Sequence, residues 1–204
     1  MCPPRRVYWH FHTLRCEKYR RAESATFLIV AVLRDVLRPG LEIVFVGINP
    51  GRHSAAAGHH YAGPGNHFWP LLCESGLVDE HLTAQDDART PAWGIGLTNM
   101  VPRPSAGISE LTTEEMLSGA RALRRRLLRY RPGIVCFNGK RIYEIFSGGP
   151  CRMGRQTERI GTSRVFVMPS TSPRGASYSK AQKLAYFRQL ETMRDEMRRQ
   201  AAAS

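Results

Sequence analysis

The chain has 204 residues and carries 30 Lys and Arg against 17 Asp and Glu, a net charge of +13 with the histidines neutral. This length supports one sizeable hydrophobic core and is short for two, so we expect one folded domain over residues 22–199, between a basic arm (1–21) and a short tail (200–204). Such an excess of positive charge favours a polyanionic partner, above all nucleic acid, over a merely basic soluble surface.

Cysteine usage and hydropathy indicate the compartment. The five cysteines form no CxxC pair, and their odd number argues against a secreted disulfide framework. We expect a reducing, intracellular setting, either the nucleus or, in a bacterium, the nucleoid and cytoplasm. The apolar run 25–33 lacks a following cleavage site, and no run approaches the roughly twenty apolar residues of a membrane span, so no membrane partner is expected.

The first 37 residues hold a basic segment and a predicted helix. Residues 1–21 contain six basic side chains and one acid, and form either an arm that contacts DNA phosphates or a solvated tail. His10, His12 and Cys16 match no standard zinc spacing, so we expect no metal there. The amphipathic pattern over residues 23–37 predicts a helix that ends before Pro39 and Gly40.

The first predicted strand covers residues 43–46 and breaks at once into a turn. Gly47 and Gly51 bracket Asn49 and Pro50, so the chain turns at the carboxyl end of a strand, where parallel sheets bind ligands. Asn49 is therefore placed as a working side chain that can accept a hydrogen bond from water, although a purely turn-forming amide is the alternative. The next segment, GHHYAGPGN, suits a planar polar ligand.

The middle of the chain alternates helices and strands. We predict a helix over residues 67–76 with Asn66 as a possible N-cap, a loop over 79–92, and a strand over 93–101 that ends at Asn99. Thr112 and Glu115 form a capping box ahead of a long helix. Its arginines at positions 121, 124, 125, 126, 129 and 131 are interpreted as a solvated face far from the strand ends.

Two more strands lead into polar loops. The strand over residues 134–137 runs into an Asn-Gly-Lys turn that could hold a phosphate, although it lacks the P-loop spacing. After a connection over residues 148–163, the strand over 165–168 delivers a loop of hydroxyls, one cation and two prolines that suits a DNA backbone. Ser179 and Gln182 are predicted to cap the last helix.

Together these elements predict an α/β fold. Four strands separated by helices, each ending in polar residues, indicate a three-layer α/β/α sandwich around a small, mostly parallel four-stranded sheet.

Five sequence blocks carry a resemblance to a known family. GINPG, GHHYAGPGNHFW, GIGLTNMV, FNGKRIYEIFSG and MPSTSPRGA occur in this order. With them the chain resembles the thymine-DNA glycosylase and mismatch-specific uracil-DNA glycosylase family over residues 26–194, and is more similar to its animal than its bacterial branch. The resemblance implies the uracil-glycosylase fold, in agreement with the independent prediction above.

The resemblance also implies roles for single residues. It places the catalytic amide, which positions the attacking water at the anomeric carbon of the sugar, at Asn49. Arg174 matches the wedge that fills the vacated base stack, with an ordinary phosphate contact as the alternative. The implied base pocket is Ile48, His60, Tyr61, Asn66 and Asn99; the implied phosphate-contacting turn is Asn138 and Lys140; the implied backbone grip is Ser170 and Ser172.

Some of these residues also have simpler interpretations, and the chain departs from the family at a few positions. His60 could be a packing residue, Asn66 a helix cap and Tyr61 only a stacking wall. Small or apolar residues are common after GINPG, whereas this chain has Arg52, His53 and Ser54, and Pro173 stiffens the wedge loop; these departures bear on base preference.

The implied activity is hydrolysis of the base–sugar bond. The resemblance implies a monomeric mismatch-specific glycosylase that removes uracil or thymine opposite guanine, with formylcytosine and carboxylcytosine as further candidates. We expect no cofactor, and because no lysine is placed as a Schiff-base nucleophile, an abasic product without strand cleavage. Two alternatives stay open: a non-catalytic module that binds mismatched or modified bases in DNA, and a phosphate-handling α/β enzyme, which would need a metal cluster or P-loop.

Overall fold

The computed structural model describes residues 33–175 and 177–203. The predicted basic arm, the group of His10, His12 and Cys16, and residues 23–32 of the first predicted helix lie outside the described residues.

The described end of that first predicted helix is extended instead. Residues 33–37 are not helical, and Val36 forms an antiparallel bridge with Leu97, with Val36 N donating to Leu97 O at 2.8 Å and Leu97 N to Val36 O at 3.0 Å. The helix prediction is wrong over these residues because the free edge of a strand offers the backbone hydrogen-bond partners that no side-chain pattern reveals.

One five-stranded sheet forms the centre of the molecule. Its strands are β1 (Ile43–Gly47), β2 (Ile95–Asn99), β3 (Ile134–Asn138), β4 (Gly154–Ile160) and β5 (Ser163–Met168). The order is β2-β1-β3-β5-β4, in which the first four are parallel and β4 is antiparallel. The predicted three-layer α/β fold is confirmed. The fifth strand lies in the predicted connection 148–163, and its polar sequence GRQTERI, mostly exposed along one edge, hid it from a search for apolar runs.

Helices cover both faces of the sheet. They are α1 (Arg52–Ala57), α2 (Phe68–Glu74), α3 (Thr113–Tyr130), α4 (Lys140–Ser147) and α5 (Lys180–Ala202), with 3₁₀ helices at Ala84–Trp93 and Ile108–Glu110. The capping boxes predicted ahead of α3 and α5 are both present. Most of the longer 3₁₀ helix lies in the segment predicted as a loop over 79–92, and its last residue, Trp93, lies in the predicted strand over 93–101. Residues 200–202 of the predicted tail are the last turn of α5.

Strand β1 is buried on both faces and divides the core. Ile43 and Phe45 pack with α2 and α5, whereas Val44 and Val46 pack with α3 and α4. Every residue of β1 is buried. A strand held this way fixes the position of the turn at its carboxyl end, and that turn carries Asn49.

A helix that spans a bilayer must be both long and apolar. Within residues 33–175 and 177–203, no helix combines the length and apolar character needed to cross a membrane.

Candidate active site

A cleft of about 810 Å³ opens at the carboxyl ends of β1, β2, β3 and β5. All eleven residues that the resemblance selected line it. The parallel topology explains this, because the carboxyl ends of parallel strands meet at one edge of the sheet. Among the described residues, no group of three or more His, Cys, Asp or Glu side chains is arranged to hold a metal ion.

The Asn49 carboxamide is held in one orientation by its neighbours. Its Nδ2 donates to Arg103 O at 3.0 Å, to Ser105 Oγ at 2.8 Å and to Pro50 O at 3.2 Å. Backbone carbonyls can only accept, so the atom that faces them must be the NH₂ group. No described residue donates to Asn49 Oδ1. The amide therefore keeps an acceptor oxygen for the cleft, which is the atom that a bound water needs.

Asn99 lies beside Gly47 at the neighbouring strand ends. The two residues pair in the parallel register of β1 and β2, and a Cβ placed on Gly47 would lie 2.5 Å from Asn99 Oδ1 and 3.6 Å from the Tyr61 hydroxyl. Only glycine permits so close an approach. Asn99 has no hydrogen bond to any described side chain or backbone group through its amide, which can therefore both donate to and accept from a base.

Tyr61 forms an aromatic wall of the cleft. Its backbone is in the left-handed region, with φ of 55°, and its ring stacks on Phe68 with centroids 3.9 Å apart. The hydroxyl is buried beside Asn138 but has no hydrogen-bond partner among the described residues. Burial raises the pKa of the Tyr61 phenol, and the nearby Asn138 amide only partly opposes it. Tyr61 is therefore a neutral, stacking group.

His60 is buried and neutral. Its backbone N–H donates to Asp87 Oδ2 at 2.8 Å, and its carbonyl accepts from Trp69 Nε1 at 3.0 Å. The ring Nε2 lies 3.0 Å from Arg34 O, which can only accept, so Nε2 carries the proton. Burial lowers the pKa of His60, opposed by the bond to Arg34. The packing role is real, and His60 also lines the cleft.

The Asn138 amide clamps two loops together. Asn138 Nδ2 donates to Thr171 Oγ1 and Thr171 N donates to Asn138 Oδ1, both at 2.9 Å. This leaves at most one amide N–H for a phosphate. The adjacent Gly139 has φ of 143°, which suits only glycine, and is the N-cap of α4. Lys140 is exposed at this turn, 3.7 Å from Glu144, and is more available for a phosphate contact than the Asn138 amide.

The loop over residues 169–175 is ordered by its own hydroxyls. Ser170 Oγ accepts from Ser172 N at 3.3 Å, and Ser172 Oγ accepts from Arg174 N at 3.4 Å. Arg174 is exposed, and its Nη1 would be 3.1 Å from a Cβ placed on Gly107. The guanidinium therefore reaches across the mouth of the cleft to the loop after β2.

Comparison with known proteins identifies the family. The sequence matches the model of the Uracil DNA glycosylase superfamily over residues 35–193. The chain belongs to the uracil DNA glycosylase superfamily. It is thus a DNA glycosylase, a hydrolase of the base–sugar bond whose substrate is DNA. This conclusion agrees with a cleft lined by amides, a neutral imidazole and exposed cations.

The fold is shared with a solved archaeal structure. A Methanosarcina acetivorans protein, described as a candidate uracil DNA glycosylase and determined by solution NMR, matches with a TM-score of 0.51. It is 23% identical, and the match covers 78% of this chain and 96% of the archaeal one. At this identity the likeness concerns the fold alone.

Several residues that shape the glycosylase cleft were missed from the sequence. Arg103 and Ser105 hold Asn49, and Arg126 Nη2 of α3 donates to Asn99 O at 2.6 Å. The interpretation of all the α3 arginines as remote from the strand ends is therefore wrong for Arg126. No local pattern marks these residues, because each contact joins positions 27 or more residues apart.

The family departures also lie in the cleft. Arg52, His53 and Ser54 all line it. Arg52 is exposed and pairs with Glu110 at 3.2 Å, while the buried Ser54 Oγ accepts from Ala62 N at 3.1 Å. Asn66 lines the cleft too, and its Oδ1 accepts from Phe68 N at 3.0 Å. The N-cap of α2 is His67, so the predicted capping role of Asn66 is wrong by one residue.

Folding of the glycosylase should depend on pH through His60. The unfolded chain protonates this ring near its ordinary value of 6.5, whereas the folded protein does so only at lower pH. The unfolded state therefore binds more protons below pH 6.5, and stability should fall as the pH drops through that range. His60→Gln, whose amide can still donate to Arg34 O, should flatten the dependence in urea denaturation between about pH 7.5 and 5.5. The exposed control His81→Gln should leave it unchanged, and an equal slope in both variants would contradict the assignment.

Proposed function

We propose that this glycosylase is mismatch-specific and belongs to the thymine and uracil branch of its superfamily. It flips uracil or thymine opposite guanine out of duplex DNA and hydrolyses the base–sugar bond, with formylcytosine and carboxylcytosine as further substrates. The observation that carries the proposal is the fixed Asn49 amide, whose Nδ2 is engaged by Arg103 O and Ser105 Oγ while Oδ1 is left for water.

The proposed reaction proceeds through an oxocarbenium-like sugar, as in glycoside hydrolysis, with the base leaving as an anion. Water held at Asn49 Oδ1 attacks the anomeric carbon as the bond to the base breaks, and the proton that the water loses passes to solvent or to the departing base anion. A neutral amide orients this water but cannot take its proton at neutral pH, unlike a carboxylate. We therefore expect slow chemistry and strong dependence on how well the base leaves.

Base recognition is assigned to the amide of Asn99 and to the walls formed by His60 and Tyr61. The Asn99 amide N–H groups can donate to an oxygen that gains negative charge as the base departs. Hydrogen-bond donors fixed in a water-poor pocket stabilise this developing charge most strongly in the transition state. Uracil, thymine and oxidised cytosines leave more readily than cytosine, so such a site discriminates without a strong acid.

Mismatch preference comes from the energy of base flipping. Extruding a base costs a few kcal/mol, and less when it is mispaired. Arg174, which already crosses the cleft mouth, is proposed to enter the stack and contact the orphaned guanine. Lys140 and the net charge of +13 supply phosphate contacts that do not depend on sequence.

Removal of Arg174 should matter only in duplex DNA. Arg174→Ala is expected to slow excision of uracil from a G·U duplex about tenfold or more, because the opened stack is no longer filled. Excision from single-stranded DNA, where the base is already unstacked, should change little. The exposed Arg188→Ala on α5 is the matched control. An equal loss on both substrates would make Arg174 an ordinary phosphate contact.

The deciding experiment is single-turnover excision with matched duplexes. Uracil, thymine, formylcytosine, carboxylcytosine and cytosine are each placed opposite guanine, and uracil also opposite adenine. We expect free base and an alkali-labile abasic strand from the G·U and G·T duplexes, with cytosine untouched. Tight binding of the mismatches without release of any base would instead favour a non-catalytic recognition module.

A further inference from the structure

One arginine of helix α3 contacts the backbone at the carboxyl end of strand β2. Arg126 Nη2 donates to Asn99 O at 2.6 Å, from a side chain 29% exposed. We infer that Arg126 is a positioning residue, which sets the place of the Asn99 amide in the base pocket. The inference rests on the proposed base-contacting role of Asn99.

The position of β2 in the sheet explains why this bond exists. β2 is an edge strand, paired with β1 on one side only. On its free side Val36 exchanges both backbone hydrogen bonds with Leu97. Backbone groups alternate sides along a strand, so the Asn99 carbonyl, two residues on, points to the same free side. Arg126 satisfies this carbonyl where no strand reaches it.

A carboxylate lies beside the guanidinium. Asp35 Oδ1 accepts from Thr98 Oγ1 at 2.7 Å, and Asp35 Oδ2 lies 3.5 Å from Arg126 Nε. Thr98 is fully buried. Both side chains are partly buried, and Arg126 Nε has no hydrogen-bond partner among the described residues, so Asp35 acts on the guanidinium through its charge alone. Asp35 therefore joins the side chain of Thr98 to the residue that holds the Asn99 backbone.

The Asn99 amide depends on this backbone anchoring. Its inner flank is fixed because Met100 N donates to Gly47 O and Val101 N to Ile48 O, both at 2.8 Å. The amide itself has no hydrogen bond to a described residue. Its position therefore depends on steric contacts and on the position of the Asn99 backbone. Displacements of about 1 Å can reduce rates by about a hundredfold when groups must meet a reacting base.

Single-turnover kinetics test the inference. Arg126→Met removes the donor with similar side-chain length and should slow excision from a G·U duplex about tenfold, with the Kd for DNA changed less than about twofold. Arg126→Lys, which keeps the charge and an N–H donor group, should recover part of the rate. Arg125→Met, an exposed neighbour on the same helix, should behave as wild type.

A double-mutant cycle with Asn99 distinguishes a positioning role of Arg126 from a general structural role. In an Asn99→Ala background, Arg126→Met should cause almost no further loss, because the group it positions is gone. An undiminished tenfold loss there, or an unchanged rate in the single variant, would overturn the inference.

A spectroscopic readout keeps the inference independent of activity. The Asn99 side-chain NH₂ resonances should shift in Arg126→Met and stay in place in Arg125→Met. If wild type releases no base, the proposed function fails while these resonances still decide whether Arg126 positions the amide. Unshifted resonances would overturn the inference.

Discussion

Replacing Asn49 by alanine should slow base excision about a thousandfold, the range in which a positioned group that activates water contributes. The reason is geometric. Asn49 Oδ1 is the acceptor that the fixed amide leaves for water, and alanine offers none. Binding to a duplex with an abasic site should change less than about threefold, because the phosphate contacts remain. The measurement is single-turnover release of uracil from a G·U duplex.

The isosteric Asn49→Asp variant tests the orientation of the amide. Its second oxygen would face Arg103 O at about 3.0 Å, where the amide now donates. Two acceptors repel at that distance unless the carboxyl is protonated, so aspartate should lower stability and restore little activity. Excision near the wild-type rate in Asn49→Ala would remove Asn49 from the chemistry. An Asn49→Asp variant as stable as wild type would show that the amide is oriented the other way.

Much of the fold can be predicted from local pattern. The β-branched runs of β1, β3 and β5 and the capping boxes of α3 and α5 are signals within a few residues, and they located these elements. β4 was not predicted, because an antiparallel edge strand can be mostly exposed and then shows no apolar run in the sequence. The extended conformation of residues 33–37 was not predicted, because Leu97, which bridges to Val36, lies far along the chain.

The site divides in the same way. Parallel topology alone brings the polar residues after each strand to one edge, so Asn49, Asn99 and Asn138 could be placed near one another from the sequence. What each amide does depends on partners distant in sequence. Ser105 orients Asn49, and Thr171 occupies Asn138. Among the described residues, Asn49 keeps a free amide oxygen, whereas both ends of the Asn138 amide are bonded to Thr171. No local pattern in the sequence distinguishes these two asparagines.

Gly47→Ala should damage the base pocket more than the fold. The new Cβ would lie 2.5 Å from Asn99 Oδ1, far inside contact distance, so the Asn99 amide must rotate or move. The end of a flexible side chain can yield, and we expect a stability loss of about 1–2 kcal/mol, at the lower end for overpacking. Excision should fall about a hundredfold, because the displaced amide no longer meets the base. Urea denaturation and single-turnover rates measure the two effects.

Two comparisons separate the pocket effect from a general cost of adding a methyl group. Gly149→Ala, where no atom lies within 4 Å of the new Cβ, should leave both stability and rate unchanged. Removing the obstructed amide in Gly47→Ala/Asn99→Ala should restore stability but not activity, since the clash and the base contact disappear together. A double variant as unstable as Gly47→Ala alone would show that the cost does not come from the contact with the Asn99 amide.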